Sequence, residues 1–180
     1  MQKNYPQYRV EVEWERLHSH CGEAGNPPCF DLFTSRSNTQ LPRFAAYRPD
    51  PEAEVIDAFT FSWTGLEFYA FPPFNCVDRT LQKIVRDGAT GILVVPNWPN
   101  QFWYHMYLEL VIDEILLHPR LDLLYLLNDL RAHHPLHQHL GLRAALVSAT
   151  SSPQMWCRIR LTIWSVPLGL TKHDLATKPI

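Results

Sequence analysis

The stretch Phe68-Tyr69-Ala70-Phe71-Pro72-Pro73-Phe74-Asn75 constrains this chain more than any other segment of its length. Apolar and aromatic residues run straight into a Pro-Pro turn, and an amphipathic helix pattern follows at once. Paired prolines fix two φ angles and remove two backbone donors. They therefore dictate how the chain leaves a sheet, at the strand ends where open α/β folds hold their ligands.

The flanking pattern agrees with a strand before the turn and a helix after it. Residues 66–71 read as a buried strand. Val77, Leu81, Ile84 and Val85 then fall at i, i+4, i+7 and i+8, one face of a helix. Gly88 stands where a left-handed C-terminal cap belongs. Gly91-Ile92-Leu93-Val94-Val95-Pro96 is an aliphatic run of the kind found in strands covered on both faces.

Upstream, residues 30–35 read as a strand ending in small polar residues, and 55–59 as a short edge segment. Between them Pro42, Pro49 and Pro51 argue against regular structure. Downstream, 102–118 reads as a second helix ended by Pro119, with Asp113 and Glu114 on its solvent face. Residues 121–130 suggest a third helix, 142–148 a late strand, and 11–20 a short helix near the start. Strand, loop, strand, helix, strand, helix is an α/β order, most simply a mainly parallel, Rossmann-like sheet, complete or lacking elements. Right-handed crossovers then put the Pro-Pro turn and the Phe33-Thr34-Ser35 end on one edge of that sheet.

The expected organisation is a lead-in over 1–29, a domain over 30–150 and a tail over 151–180. Ser151-Ser152-Pro153 opens the tail as a linker, and 159–164 reads as an extra strand.

Composition excludes several classes. A hydrophobic share of 46% against 19% charged residues describes a globular chain, not a disordered one. Sixteen basic and 18 acidic residues leave a net charge of −2, so a strongly basic nucleic-acid footprint is absent. The opening residues lack a secretory h-region and no run is apolar enough for a membrane span, so an intracellular protein of nucleus or cytoplasm, with free thiols, is expected.

Metal binding is not expected. His18, His20, Cys21 and Cys29 run as H-x-H-C-x7-C, unlike the paired spacings of structural zinc sites. His133, His134, His137 and His139 around Pro135 read as a solvated loop. The chain contains no G-x-S-x-G, P-loop, H-E-x-x-H or G-x-G-x-x-G. Arg79, Lys83 and Arg86 cluster near one helix face, most simply a solvated one.

Asp31-Leu32-Phe33-Thr34-Ser35-x-x-Asn38 is followed by Leu41-Pro42-Arg43-Phe44 and by Asp57-Ala58-Phe59-x-x-x-Trp63. Phe68 to Phe74, then Gly91-Ile92-Leu93-Val94-Val95-Pro96-Asn97-Trp98-Pro99 and Trp103-Tyr104, complete an ordered series. Over roughly residues 10–150 this series resembles the C-terminal part of the Pol polyprotein of DIRS-type retrotransposons, the tyrosine-recombinase class. There the block follows reverse transcriptase and RNase H, so other Pol domains are the implied partners. It is similar to the Dam-like DNA adenine methyltransferases of those elements, which have a Rossmann-like sheet and use S-adenosylmethionine.

The resemblance implies cofactor contacts at Asp31, Ser35 and Asn38, and at Asp57 and Trp63 near the cofactor adenine. It maps the catalytic Asn/Asp-Pro-Pro-Tyr/Phe onto Phe71-Pro72-Pro73-Phe74. In enzymes of this kind the aromatic stacks on a flipped base, while the first residue accepts hydrogen bonds from the exocyclic amine. Phe71 accepts none. Losing one such acceptor costs a hundredfold or more, on the order of several kcal/mol. Asn75 is better placed to cap the following helix than to replace it. Three functions follow: a degenerate module that still holds nucleic acid or cofactor, an active adenine methyltransferase, or a spacer between Pol enzymes.

Overall fold

The computed structural model describes residues 28–119 and 139–150, and the backbone of the short segments 8–10, 124–126 and 129–133. The chain divides into two units, Met1–Thr150 and Ser151–Ile180. All of the described residues lie in the first, so the expected helix at 11–20 and strand at 159–164 fall outside them.

Seven strands form the principal sheet: β2 (Phe30–Thr34), β3 (Phe44–Ala46), β4 (Val55–Ile56), β5 (Glu67–Ala70), β6 (Thr90–Pro96), β7 (Val111–Leu117) and β10 (Leu142–Ser148). Their spatial order is β4-β3-β2-β5-β6-β10-β7. The pairs β3/β4, β2/β3, β2/β5 and β5/β6 are parallel, whereas β10 is antiparallel to both β6 and β7. This is an α/β, Rossmann-like, mainly parallel sheet. The order of its parallel strands reverses between β2 and β5, the point at which open α/β sheets bind ligands. Three further strands, β1 (Tyr8–Val10), β8 (Leu124–Leu126) and β9 (Asp129–His133), form a separate antiparallel sheet.

Helix content is low among the described residues. Helix α1 (Val77–Asp87) makes the β5-to-β6 crossover, and the short α2 (Tyr104–Leu110) precedes β7. Val77, Leu81 and Ile84 are buried as their spacing predicts, and Gly88 caps α1 at φ 61° with its N–H shared between the Ile84 and Val85 carbonyls. Val85, however, is 52% exposed, and Thr80 and Lys83 take buried places instead. Thr80 can do so because its hydroxyl donates to the Cys76 carbonyl at 2.9 Å. Lys83 can do so because its ammonium meets Asp87 one turn on, at 2.6 Å. Lys83 thus leaves the solvated face expected of it.

The core on one face of the sheet gathers Phe30, Leu32, Trp63, Phe68, Leu81, Ile84, Leu93, Trp103 and Tyr107. A second buried cluster on Tyr69, Ile92, Val94, Leu142 and Ala144 explains why β6 is aliphatic at every position from Ile92 to Val95.

Three expectations are corrected. Strand β3 forms inside the proline-rich stretch, because Phe44-Ala45-Ala46 lies between the prolines and pairs on both sides. The single helix expected over 102–118 is a helix and then a strand. Val111 turns to φ −67°, ψ 126°, and the following residues pair with β10, so Asp113 and Glu114 lie on β7. Val111, Ile112 and Ile115 suit a strand, and pairing overrides the helical spacing. Within 121–130 the described residues are strand, not helix. Among the described residues no helix is long and apolar enough to cross a membrane.

Candidate functional site

The carboxyl ends of β2, β4 and β5 emerge along one edge of the sheet. β2 and β5 run side by side with Phe30 opposite Phe68 and Asp31 opposite Tyr69. That register carries the Thr34-Ser35 exit toward the level of Pro72-Pro73, as the crossover rule requires.

At the β2 exit, Asn38 folds back on Ser35. Its Oδ1 accepts from the Ser35 N–H at 2.9 Å and from the Ser35 hydroxyl at 2.6 Å. The Asn38 and Thr39 N–H groups return bonds to the Ser35 carbonyl. This is local turn chemistry of the kind Asx and Ser side chains supply. Asp31 lies farther back, at the second position of β2, 2% exposed, and its Oδ2 accepts from the Gln40 N–H at 2.9 Å. It ties the loop after β2 to the sheet. No helix follows β2, so this exit offers no helix N-terminus to an anion.

At the β4 exit Asp57 adopts φ 60°, ψ 108°, the one positive φ outside glycine among the described residues. A non-glycine residue held there stores about 1–3 kcal/mol. Its N–H bonds the Ala46 carbonyl, and its Oδ1 caps the following 3-10 turn by accepting from Phe59 N–H at 3.0 Å. The Arg79 guanidinium, from the first turn of α1, lies 3.8 Å from the Phe59 ring centre. Burial pushes the neighbouring Cys76 thiol above its ordinary range, Arg79 pulls it down, and Asp57 adds to the rise.

Trp63 is fully buried below this edge. Its indole N–H donates to the Ala58 carbonyl at 2.8 Å, and its ring packs on Phe33, Phe59 and Phe68. It serves the core and presents no free edge to a ligand.

At the β5 exit Pro72 is buried and Pro73 exposed. Phe71 meets Phe74 edge-on at 6.3 Å, and Phe74 in turn meets Trp98 at 5.0 Å and 75°. Phe71 is therefore part of a packed aromatic row rather than an exposed substitute for a polar group. Asn75 does not cap α1. It lies within the 3-10 turn Phe74–Cys76, and Cys76 holds the cap position without a side-chain bond.

Beside this row a polar group forms that the sequence did not announce. Glu114 on β7 accepts from the buried Tyr107 hydroxyl at 2.7 Å and pairs with Arg143 on β10. Arg143 also donates to Asn97 Oδ1 at 2.8 Å. Burial and then the Glu114 charge hold the Tyr107 phenol far above its usual ionisation range. Burial works against the Arg143 guanidinium, but Glu114 outweighs it and raises its pKa. A helix reading of 102–118 sets Glu114 toward solvent, which hid the pairing.

The edge brings together Ser35, Asn38, Asp57, Arg79 and the Pro72-Pro73 turn, but leaves Asp31 and Trp63 inside the structure. Among the described residues no group of three His, Cys, Asp or Glu side chains is placed to hold a metal ion. Cys29 is an exposed free thiol, and His18, His20, Cys21, His134 and His137 lie outside the described residues. No family model and no curated protein matches the chain.

Proposed function

We propose that this chain is a Dam-like methyltransferase module of a retroelement Pol polyprotein that has lost methyl transfer and keeps a binding role toward nucleic acid or S-adenosylmethionine. The observation that carries this reading is the place of the Pro-Pro turn. It stands at the carboxyl end of β5, beside β2, where the order of the parallel strands reverses. The seven-stranded, mainly parallel sheet suits the Rossmann-like fold that the resemblance implies. Ser35, Asn38 and Asp57 are the residues that would meet the cofactor, and Asp57 and Arg79 both act on the Cys76 thiol.

The loss of chemistry is argued from Phe71. An exocyclic amine needs an acceptor at that position to orient it and take up its developing charge. A phenyl ring packed on Phe74 supplies neither. Calorimetric titration with S-adenosylmethionine tests cofactor binding, and no heat at high ligand concentration would remove that part of the proposal. Methyl incorporation into DNA by the parent chain would overturn the argument from Phe71, and gain of incorporation in Phe71→Asn would support it.

One observation favours the spacer alternative. The β2 exit is closed on itself by the Ser35–Asn38 bonds and leads into no helix. A chain that fails both the cofactor titration and a mobility shift with single- and double-stranded DNA, repeated at raised salt, is a spacer between Pol enzymes.

A further inference from the structure

We propose that the outer edge of β7 is an interface at which a second copy of this chain adds its own β7, antiparallel, about a two-fold axis. The two edges of the principal sheet are unlike each other. β4 is two residues long and follows Pro49 and Pro51, so that edge gives another strand little to pair with. β7 runs for seven residues, Val111-Ile112-Asp113-Glu114-Ile115-Leu116-Leu117, with no Lys, Arg or Pro among them. Such residues are what commonly blunt an edge. Among the described residues β10 is its only partner strand.

The strand also shows which of its backbone groups face outward. The Glu114 N–H bonds Asp113 Oδ1 at 2.8 Å, so it points away from β10. Backbone groups alternate in an antiparallel pair, so those of Leu116 face outward as well. Asp113 thus screens the start of the edge and Pro119 closes its end. Leu116 lies between them with its side chain 43% exposed.

A second β7 fits this edge best in one register. With Leu116 opposite its own counterpart, the two Leu116 residues exchange N–H to C=O bonds. Ile115 then faces the second copy's Leu117, and Glu114 faces the second copy's His118. Apolar meets apolar, and a carboxylate meets an imidazole. A centre at Asp113 or Glu114 would instead set like carboxylates face to face. A centre at Ile115 would need the Glu114 N–H that Asp113 already holds. Because both copies use the same patch and β4 is blunt, the pairing closes as a dimer rather than growing into a fibre. It calls on neither Asp57 nor the Pro72-Pro73 turn, so it goes beyond the function proposed above.

A pairing this short belongs with small, weak interfaces, so dimerisation is expected on the order of tens of micromolar. Sedimentation velocity of the full chain below and above that range reads the association. Hydrogen exchange under the same conditions reads its place. The parent chain should pass from monomer to dimer, and the Leu116 amide should exchange about tenfold more slowly in the dimer. Leu116→Lys sets two ammonium groups face to face and should weaken the dimer about tenfold or more. Val85→Lys, at an exposed position on α1, should leave it unchanged. A monomer throughout overturns the proposal, and slow exchange at Leu116 in that monomer would show that the chain covers the edge itself. A dimer that survives Leu116→Lys, that Val85→Lys weakens equally, or that leaves the Leu116 amide fast uses another surface, and overturns it as well. The exchange measurement needs no variant, so the proposal can fail on the parent chain alone.

Discussion

Asp87, in the last turn of α1, accepts a hydrogen bond from the Trp63 backbone N–H at 2.8 Å. The same Oδ2 lies 2.6 Å from the Lys83 ammonium, and both side chains are under a tenth exposed. One carboxylate thus joins the helix to the loop that holds the largest buried side chain, and neutralises a buried cation. Asp87→Ala leaves Lys83 charged and unpaired in the core, a change that costs roughly 3–5 kcal/mol. Arg86→Ala, at an exposed partner of the same carboxylate, should cost about 0.5 kcal/mol or less. Urea unfolding of the two variants checks the contrast, and equal midpoints would remove Asp87 from this role.

The Asp87 carboxyl also sets an acid limit. Burial alone would raise its pKa, but Lys83, the Trp63 N–H and Arg86 together hold it below the ordinary value. A folded pKa below the unfolded one, about 4, stabilises above that value and loses the stabilisation as pH falls through the folded one. The difference in stability between the parent chain and Asp87→Asn should therefore be constant from pH 7 to about pH 5 and shrink below about pH 4. A difference that grows on acidification would reverse the assigned sign.

Apart from β3, the parallel half of the sheet was legible in the sequence because its signals are local. Pro72-Pro73 ends β5, Gly88 ends α1, and the unbroken run to Pro96 can only be a covered strand. What was not legible depends on distant partners. Nothing between Tyr104 and Leu117 punctuates the change from helix to strand, and only the β10 pairing decides it. Lys83 is a surface residue by type and becomes a core residue through Asp87. At the candidate site, Ser35 and Asn38 could be placed from their strand, whereas the positive φ of Asp57 and the Arg79–Phe59 stack leave no mark on residue spacing.

Gly91 is needed for closeness, not for an unusual φ. A Cβ there would lie 2.4 Å from the Phe68 carbonyl oxygen and 2.6 Å from the Phe68 ring. Because one obstacle is backbone of the paired strand β5, it cannot simply rotate aside. Gly91→Ala should lose about 1–3 kcal/mol through overpacking. A stability equal to the parent's in urea would show that β5 and β6 can separate at that point without cost.

The two described cysteines should differ in reactivity. Cys29 is exposed, while Cys76 is half-buried with a thiol pushed upward by burial. The thiolate is the reacting species, so a raised pKa lowers its population at a given pH. Mass mapping after brief iodoacetamide treatment at pH 8 should find Cys29 modified well before Cys76. Faster labelling of Cys76 would mean that Arg79, rather than burial, governs that thiol.

Tyr107 offers the sharpest check on the polar group behind the aromatic row. Its hydroxyl is fully enclosed and donates to Glu114 at 2.7 Å, while Glu114 also pairs with Arg143. Tyr107→Phe removes the donor but leaves the carboxylate its arginine, so no charge is stranded. The expected cost is about 1.5–3 kcal/mol, the scale of a hydrogen bond to a charged group. Glu114→Ala strands the Arg143 guanidinium and frees Asn97 from a fixed neighbour, and should cost more. Because the Tyr107 phenol resists ionisation, ultraviolet titration of the parent chain and of Tyr107→Phe should superimpose until the alkaline unfolding transition. A phenol ionising earlier in the parent alone would show that Tyr107 is open to solvent and that its bond to Glu114 is not kept in solution.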